Sequence, residues 1–142
     1  MIRNFKKTDL DSIMQIWLSS NIKAHHFISR SYWENNYEMV NSILPEAEVY
    51  VYENTKTNEI LGFIGLMDNY IAGLFVKEGS QSQGIGKKLL DYAKTVKEHL
   101  TLSVYKKNSR AVYFYQREHF VTNVESTDKN TGEIELILSW NR

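Results

Sequence analysis

The feature that most restricts the fold is a change of period in the middle of the chain. Apolar residues run almost unbroken through Ile60–Met67 and, beyond an Asp68-Asn69 turn, through Tyr70–Val76. From Ile85 the spacing becomes that of one helix face, with Leu89, Leu90, Ala93 and Val96, and it returns to alternation at Leu100, Leu102 and Val104. Strand, helix and strand in that order predict a right-handed crossover between two parallel strands. Everything else in the chain has to be arranged around that unit.

Upstream, a short strand is expected near Ile2–Phe5. Thr8, with Asp11 three residues on, reads as the cap of a first helix carrying Leu10, Ile13, Met14 and Trp17 on one face. The stretch Asn21–Arg30 breaks that pattern, and Ser31 can cap a second helix with Trp33, Tyr37, Val40 and Leu44 on one side, closed by Pro45. Val49 and Val51 alternate with Tyr50 and Tyr52, so Glu48–Glu53 and Ile60–Met67 form an antiparallel hairpin across a polar turn at Asn54–Asn58. Downstream come a short helix near Ser109–Glu118, a strand near Phe120–Val124, a polar turn at Asp128–Gly132, and a last strand in which Ile134, Leu136, Leu138 and Trp140 alternate with polar neighbours. The class is α/β, of the α+β kind: a mixed central sheet of about six to seven strands with flanking helices. At 142 residues, with no repeat or linker, the chain is expected to be one domain over residues 1–142.

Composition removes several functions. Seventeen basic against seventeen acidic side chains leave no net charge, so no general field gathers nucleic acid or anionic lipid, and any anion must be held locally. The absence of cysteine excludes disulfides, thiolate metal sites and a cysteine nucleophile. His25 and His26 lack partners at ligand spacing and His99 and His119 stand alone, so no metal is expected. The longest apolar run is far short of the ~18 residues of a membrane span. A cytoplasmic protein without a membrane or nucleic-acid partner, monomeric or homodimeric, is expected.

Chemistry concentrates in Gln81-Ser82-Gln83-Gly84-Ile85-Gly86-Lys87-Lys88, between a strand and a helix. A helix start carries unpaired N–H groups and partial positive charge, and normally receives a capping side chain and an acidic first turn. Here it receives two glycines and two lysines, an arrangement that a bound phosphate would favour. Walker A spacing fails, because Ile85 rather than lysine follows Gly84; the dinucleotide fingerprint fails at Leu89, where a third small residue is required. The loop alone leaves two readings open, a phosphate cradle and a turn whose glycines only bend the chain.

Gln81, Gly84 and Gly86 match the Gln/Arg-x-x-Gly-x-Gly/Ala signature of the GNAT superfamily of acetyl-CoA-dependent N-acetyltransferases, which the chain resembles. A second signature of that family is met by Asn108, Ala111, Phe114, Tyr115 and Phe120, except that His119 replaces its glycine. Ala24-His25-His26-Phe27-Ile28 with Tyr32-Trp33 further resembles the small bacterial YjaB/YiaC-like branch, whose members include protein lysine acetyltransferases. The resemblance implies a GNAT-like fold with a splay between the two parallel central strands. It implies that acetyl-CoA is the cosubstrate, with the backbone of Leu74, Phe75 and Val76 pairing with its pantetheine arm. Amides of Ser82, Gln83, Gly84, Ile85, Gly86 and Lys87 would wrap the pyrophosphate, the side chains of Gln81 and Gln83 would border it, and Asn108 would bond the arm while capping the next helix.

Attack of an amine on a thioester needs an acid for the departing sulfur and a route for the amine proton. The resemblance makes Tyr115 the acid. The position where some relatives carry a basic glutamate is Ser103 here, and a serine cannot replace it. His25, His26, Phe27 and Tyr32, with the Asp128–Gly132 turn, are expected on the acceptor side, although adjacent loop histidines are commonly solvated. The leading expectation is transfer of acetyl to a primary amine, of a small molecule or of a protein lysine or N-terminus, by direct attack through a tetrahedral intermediate. The competing one is a catalytically silent acyl-CoA-binding regulatory module.

Overall fold

The computed structural model describes all residues, Met1–Arg142. Seven strands, β1 (Ile2–Asn4), β2 (Glu48–Glu53), β3 (Ile60–Met67), β4 (Tyr70–Val76), β5 (His99–Tyr105), β6 (Val121–Thr127) and β7 (Ile134–Asn141), form one sheet in the order β1-β2-β3-β4-β5-β7-β6. Every neighbouring pair is antiparallel except β4 and β5. Helices α1 (Leu10–Ala24) and α2 (Arg30–Ile43) cover one face; α3 (Ile85–Val96) and α4 (Ser109–Arg117) cover the other. The mixed sheet and the strand-helix-strand crossover are those expected from the change of period.

β3 reads as an unbroken apolar run because both its faces are covered. Phe63 belongs to the core under α1 and α2, with Ile13, Met14 and Trp17, while Ile64 and Leu66 belong to the core under α3, with Leu89 and Leu90. A Cβ on Gly62 would lie 2.8 Å from the Phe75 carbonyl oxygen and 3.2 Å from Ile85. Glycine there lets the first turn of α3 settle close over the end of β4, which fixes where the Gly84 loop sits.

The parallel seam is short. β4 and β5 pair only at Tyr70 and Thr101, beside a bond from the Thr101 N–H to the Asn69 carbonyl at 2.9 Å. Beyond that point the strands part, and the side of β4 that would face β5 is left without a strand partner. β4 also carries a bulge: Gly73 pairs with Gly65 and Ile71 with Leu66, leaving Ala72 over. The extra residue breaks the strand's two-residue alternation. Ile71, Leu74 and Val76 therefore all pack toward α3 and α4, and Phe75 packs toward α1 and α2.

Several local expectations are corrected. Thr8 does not cap α1. A 3-10 turn over Lys7–Asp9 leads into it, and the buried Asp9 carboxylate accepts the Lys6 N–H at 2.7 Å and the Arg3 guanidinium at 2.8 and 2.9 Å. α1 continues to Ala24 rather than breaking at Asn21, because the Asn21 side chain turns back to bond the Trp17 carbonyl at 2.9 Å inside the core. Ser29 in extended conformation, not Ser31, precedes α2. Val96 ends α3 exposed rather than on its buried face, and β6 runs to Thr127. His119 adopts the left-handed backbone (φ 75°) that a glycine would take freely, and the Phe120 N–H closes onto the Tyr115 carbonyl at 2.9 Å.

Candidate active site

The end of β4 and the start of α3 make a surface of unsatisfied main chain. None of the seven backbone N–H groups from Gln81 to Lys87 donates to an acceptor in the protein. Gly84 is the residue before α3, left-handed at φ 81°, and no side chain caps the helix. The last residues of β4, Leu74, Phe75 and Val76, are half-buried with no main-chain bond on the β5 side. A Cβ on Gly86 would meet only ordinary contacts, Val76 at 3.6 Å and Phe114 at 3.8 Å, so the protein's own packing does not require glycine there. These donors, lying beside an open strand edge, suit a ligand with one anionic end and one amide-bearing arm.

Side chains around the loop differ from expectation. The Gln81 amide turns inward to the Val76 carbonyl at 3.4 Å. Lys87 does not stand uncompensated at the helix start: its ammonium meets Asp91 at 3.1 Å and Glu118 at 3.0 Å. Lys88 lies over the Tyr52 ring. The cation beside the loop is Arg110, which donates to Ser82 Oγ at 3.2 Å. Sequence reasoning missed it, since only the tertiary fold brings the first turn of α4 next to the loop ahead of α3.

Tyr115 sits on α4 in the core, 7% exposed, its ring edge-on to Phe114 and Phe120. The ring is core, and the hydroxyl is its one polar atom. That hydroxyl makes no hydrogen bond within the chain, and burial, with Tyr70 nearby, raises the phenol well above its ordinary range. The group holds its proton and has no protein acceptor for it.

On the opposite face, a cluster of rings gathers from four parts of the chain. His25, at the C-terminus of α1, stacks on Trp33 (5.2 Å between centroids) and meets Tyr105 and Phe27 edge-on; Tyr32 meets Trp33 at 5.0 Å. Of the two adjacent histidines only His25 joins the site. It is 8% exposed, not solvated, and burial lowers its imidazole to about 4, whereas His26 is exposed and touches only Phe27. Asn108 precedes α4, its Oδ1 accepting the Ala111 N–H at 3.3 Å and its Nδ2 lying 3.2 Å from His25 Nε2.

Two carboxylates face this cluster. The Tyr105 hydroxyl donates to Asp128 at 2.6 Å. Burial opposes ionisation of Asp128, but that bond and those from the Asn130 and Thr131 segment outweigh it and hold the carboxyl low. Glu135, paired across the sheet with Tyr105, is raised by burial and then by Asp128. Of the chain's buried and half-buried carboxylates, these two alone have no cationic side chain within 4 Å. Tyr32 senses both of them, its phenol raised first by burial and then by Asp128. The sequence pointed to the Asp128 turn but not to Glu135, whose only signal was its place on the polar side of an alternating strand.

Comparison with known proteins fits this geometry. The model of the acetyltransferase (GNAT) domain family matches residues 45–122. The peptidyl-lysine N-acetyltransferase YiaC of Escherichia coli is 35% identical over 122 residues, 84% of this chain and 82% of that protein. The peptidyl-lysine N-acetyltransferase YjaB of Salmonella typhimurium is 32% identical over 132 residues, 93% and 90% of the two chains. The solution structure of apo YjaB from Escherichia coli superposes with a TM-score of 0.87 at 27% identity, covering 99% and 96%. The same fold at lower identity, 16% with a TM-score of 0.67, occurs in yncA of Salmonella typhimurium, whose structure holds acetyl-CoA as its cofactor. With the open β4 edge, the uncapped Gly84 turn and a matching sequence pattern all pointing the same way, the chain belongs to the GNAT family of N-acetyltransferases.

Proposed function

We propose that this N-acetyltransferase moves the acetyl group of acetyl-CoA onto the side-chain amine of a lysine in a protein or peptide. The observation that carries the choice of acceptor is the pair Asp128 and Glu135: two half-buried carboxylates without a cation, in a mouth lined by Phe27, Tyr32 and Tyr105. An alkylammonium supplies the missing charge, and its methylenes suit the rings. The relatives named peptidyl-lysine N-acetyltransferases support the same class.

Acetyl-CoA supplies an activated thioester. The chain's part is to orient it: the edge of β4 at Leu74–Val76 binds the amides of the arm, the N–H groups of Ser82–Lys87 and the Arg110 guanidinium take the phosphates, and Asn108 steadies the arm from the far side of the cleft. Asp128 and Glu135 draw in the ammonium, which gives up one proton to water at the mouth before it attacks. The neutral amine attacks the thioester carbonyl. As the tetrahedral intermediate collapses, Tyr115 gives its proton to the departing sulfur, in keeping with a phenol that burial keeps protonated, and the second proton of the attacking nitrogen leaves to restore the phenol. No metal has a part, residues 1–142 act as one domain, and the chain is assigned to the cytoplasm; no helix is long and apolar enough to cross a membrane.

The test is release of CoA with a panel of acceptors and a no-acceptor control. Lysine-containing peptides should drive release, and the same peptides with blocked ε-amines should not. Turnover confined to small amines would overturn the lysine assignment and leave the acetyltransferase chemistry standing.

A further inference from the structure

We propose that His25 is a positioning residue for the cofactor cleft: a neutral imidazole whose Nε2 holds the Asn108 amide in the orientation that serves the arm of acetyl-CoA. The helix cap fixes the orientation of the Asn108 amide. Asn108 Oδ1 accepts the Ala111 N–H, so the amide end turned toward His25 is the Nδ2 donor. His25 Nε2 must then be the acceptor, and the ring proton sits on Nδ1. Nδ1 is buried without a well-formed hydrogen bond, and the Asn21 carbonyl, which takes the His25 backbone N–H at 3.0 Å, only partly favours its proton.

A buried N–H left without an acceptor is costly, and the surrounding rings do nothing to relieve it. Trp33 stacks on the imidazole with its own Nε1 also buried and unpartnered, while Tyr105 and Phe27 close the edges. Phenylalanine would fill the same space without that cost. What the imidazole does that a hydrocarbon ring would not is accept from Asn108, across 83 residues of sequence. Among the side-chain hydrogen bonds of the chain, this is the one that joins the segment between α1 and α2 to the junction of β5 and α4. Burial keeps the imidazole neutral at ordinary pH, so the acceptor is always available. The consequence is a link between the two halves of the site: the segment that carries Phe27 and leads into Tyr32 on α2 holds in register the amide that steadies the cofactor. The inference rests on Asn108 lying against the arm, not on the identity of the acceptor.

The experiment is titration of the full chain with acetyl-CoA alone, which needs no acceptor, together with nitrogen NMR of the imidazole. His25→Phe should weaken acetyl-CoA by about tenfold, and His25→Gln, which returns an acceptor near the Nε2 position, should recover most of that loss. Equal losses in the two variants would reduce His25 to packing and overturn the proposal, as would unchanged affinity in His25→Phe. If His25→Phe does not fold, the native protein still decides: the resonances must show Nδ1 protonated and Nε2 bare, with Nε2 shifting on addition of acetyl-CoA. A protonated Nε2, or one that does not respond, overturns it. Asn108→Ser, which keeps a helix cap but loses the donor, separates the premise from the inference. Unchanged affinity there removes the role of Asn108 and the proposal with it, whereas weakened affinity beside an unaffected His25→Phe removes the proposal alone.

Discussion

The two halves of the active site are built on opposite plans. The cofactor half is a continuous stretch, Leu74–Lys87, and what it offers is main chain: an unpaired strand edge and seven free N–H groups ahead of α3. The acceptor half is side chains brought from the end of α1, the start of α2, the end of β5 and the β6–β7 hairpin, held by ring contacts and the His25–Asn108 bond. A backbone cradle needs only the right φ and ψ and an absent cap, so most substitutions that keep the turn leave it working. A side-chain mouth is defined by which groups meet there, so single substitutions change what enters. One half is suited to a cosubstrate that never varies, the other to choosing among amines.

That contrast can be tested by striking each half, and the largest effect is expected at the acid proposed for the departing sulfur. Tyr115→Phe keeps the ring among Phe114 and Phe120 but removes the acid, so kcat should fall by about 10²–10⁴-fold with little change in KM for acetyl-CoA. Steady-state kinetics beside a cofactor titration checks this, and a wild-type kcat would take the acid role away from Tyr115.

Next comes the cradle itself. Acetyl-CoA at ~100 times its Kd should stabilise the native protein by about 2.7 kcal/mol, several degrees in Tm. Gly84→Asp should abolish that shift, because a carboxylate at the helix start repels phosphate. The unliganded protein should stay folded, since nothing lies within 4 Å of a Cβ at that position and aspartate is among the residues that tolerate a left-handed backbone. A retained shift would mean that the N–H groups are not the phosphate site.

The acceptor half should reveal itself through pH. Burial holds His25 down to about 4 against an ordinary 6.5. A depressed pKa means that the unfolded chain takes up the proton first, so the stabilisation is whole above pH 6.5 and drains away as pH falls toward 4. On the order of 1–3 kcal/mol should be lost across that window. Urea unfolding of wild type and His25→Gln over the same range measures it, and matching slopes would mean that the imidazole is not buried neutral.

The smallest effect concerns Glu135. Its raised carboxyl means that ionisation opposes folding as pH rises through its pKa, so Glu135→Gln should lift Tm at neutral pH by about 1–2 °C. The same change should raise KM for a lysine peptide by about five- to twentyfold and leave KM for acetyl-CoA alone. A lowered Tm, or a change confined to acetyl-CoA, would break the division between the halves. Opposite signs for stability and acceptor binding would mark a charge kept for function.

Much of the site was legible before the fold was known, and the part that was not shares one cause. Gln81, Gly84 and Gly86 stood at short fixed spacings, as did Asn108 and Tyr115, so each motif and its place beside the strand-helix-strand unit could be recognised together. Arg110, Glu135 and the burial of His25 could not. Arg110 follows Ser82 by 28 residues and His25 precedes Asn108 by 83, and neither pair has a local pattern. The pattern around His25 even suggested solvation, because two adjacent histidines in a polar stretch look alike until one of them turns under Trp33. The misplaced caps at Thr8 and Ser31 have the same origin. Each was locally plausible, but Asp9 found Arg3 on β1, and the chain between the helices was shorter than the pattern implied because Asn21 continued α1.

By itself, then, the sequence determined the elements, their order and the cofactor loop, because periodicity, turn chemistry and helix-end electrostatics act over a few residues and are written in adjacent positions. The tertiary structure alone decided where β4 leaves β5, which way the bulge at Ala72 turns Leu74 and Phe75, and which distant side chains share the acceptor mouth. Those outcomes depend on how α3 settles on Gly62 and how the segment between α1 and α2 closes over Tyr105. Close packing of surfaces far apart in the chain sets them, and no local energy encodes it.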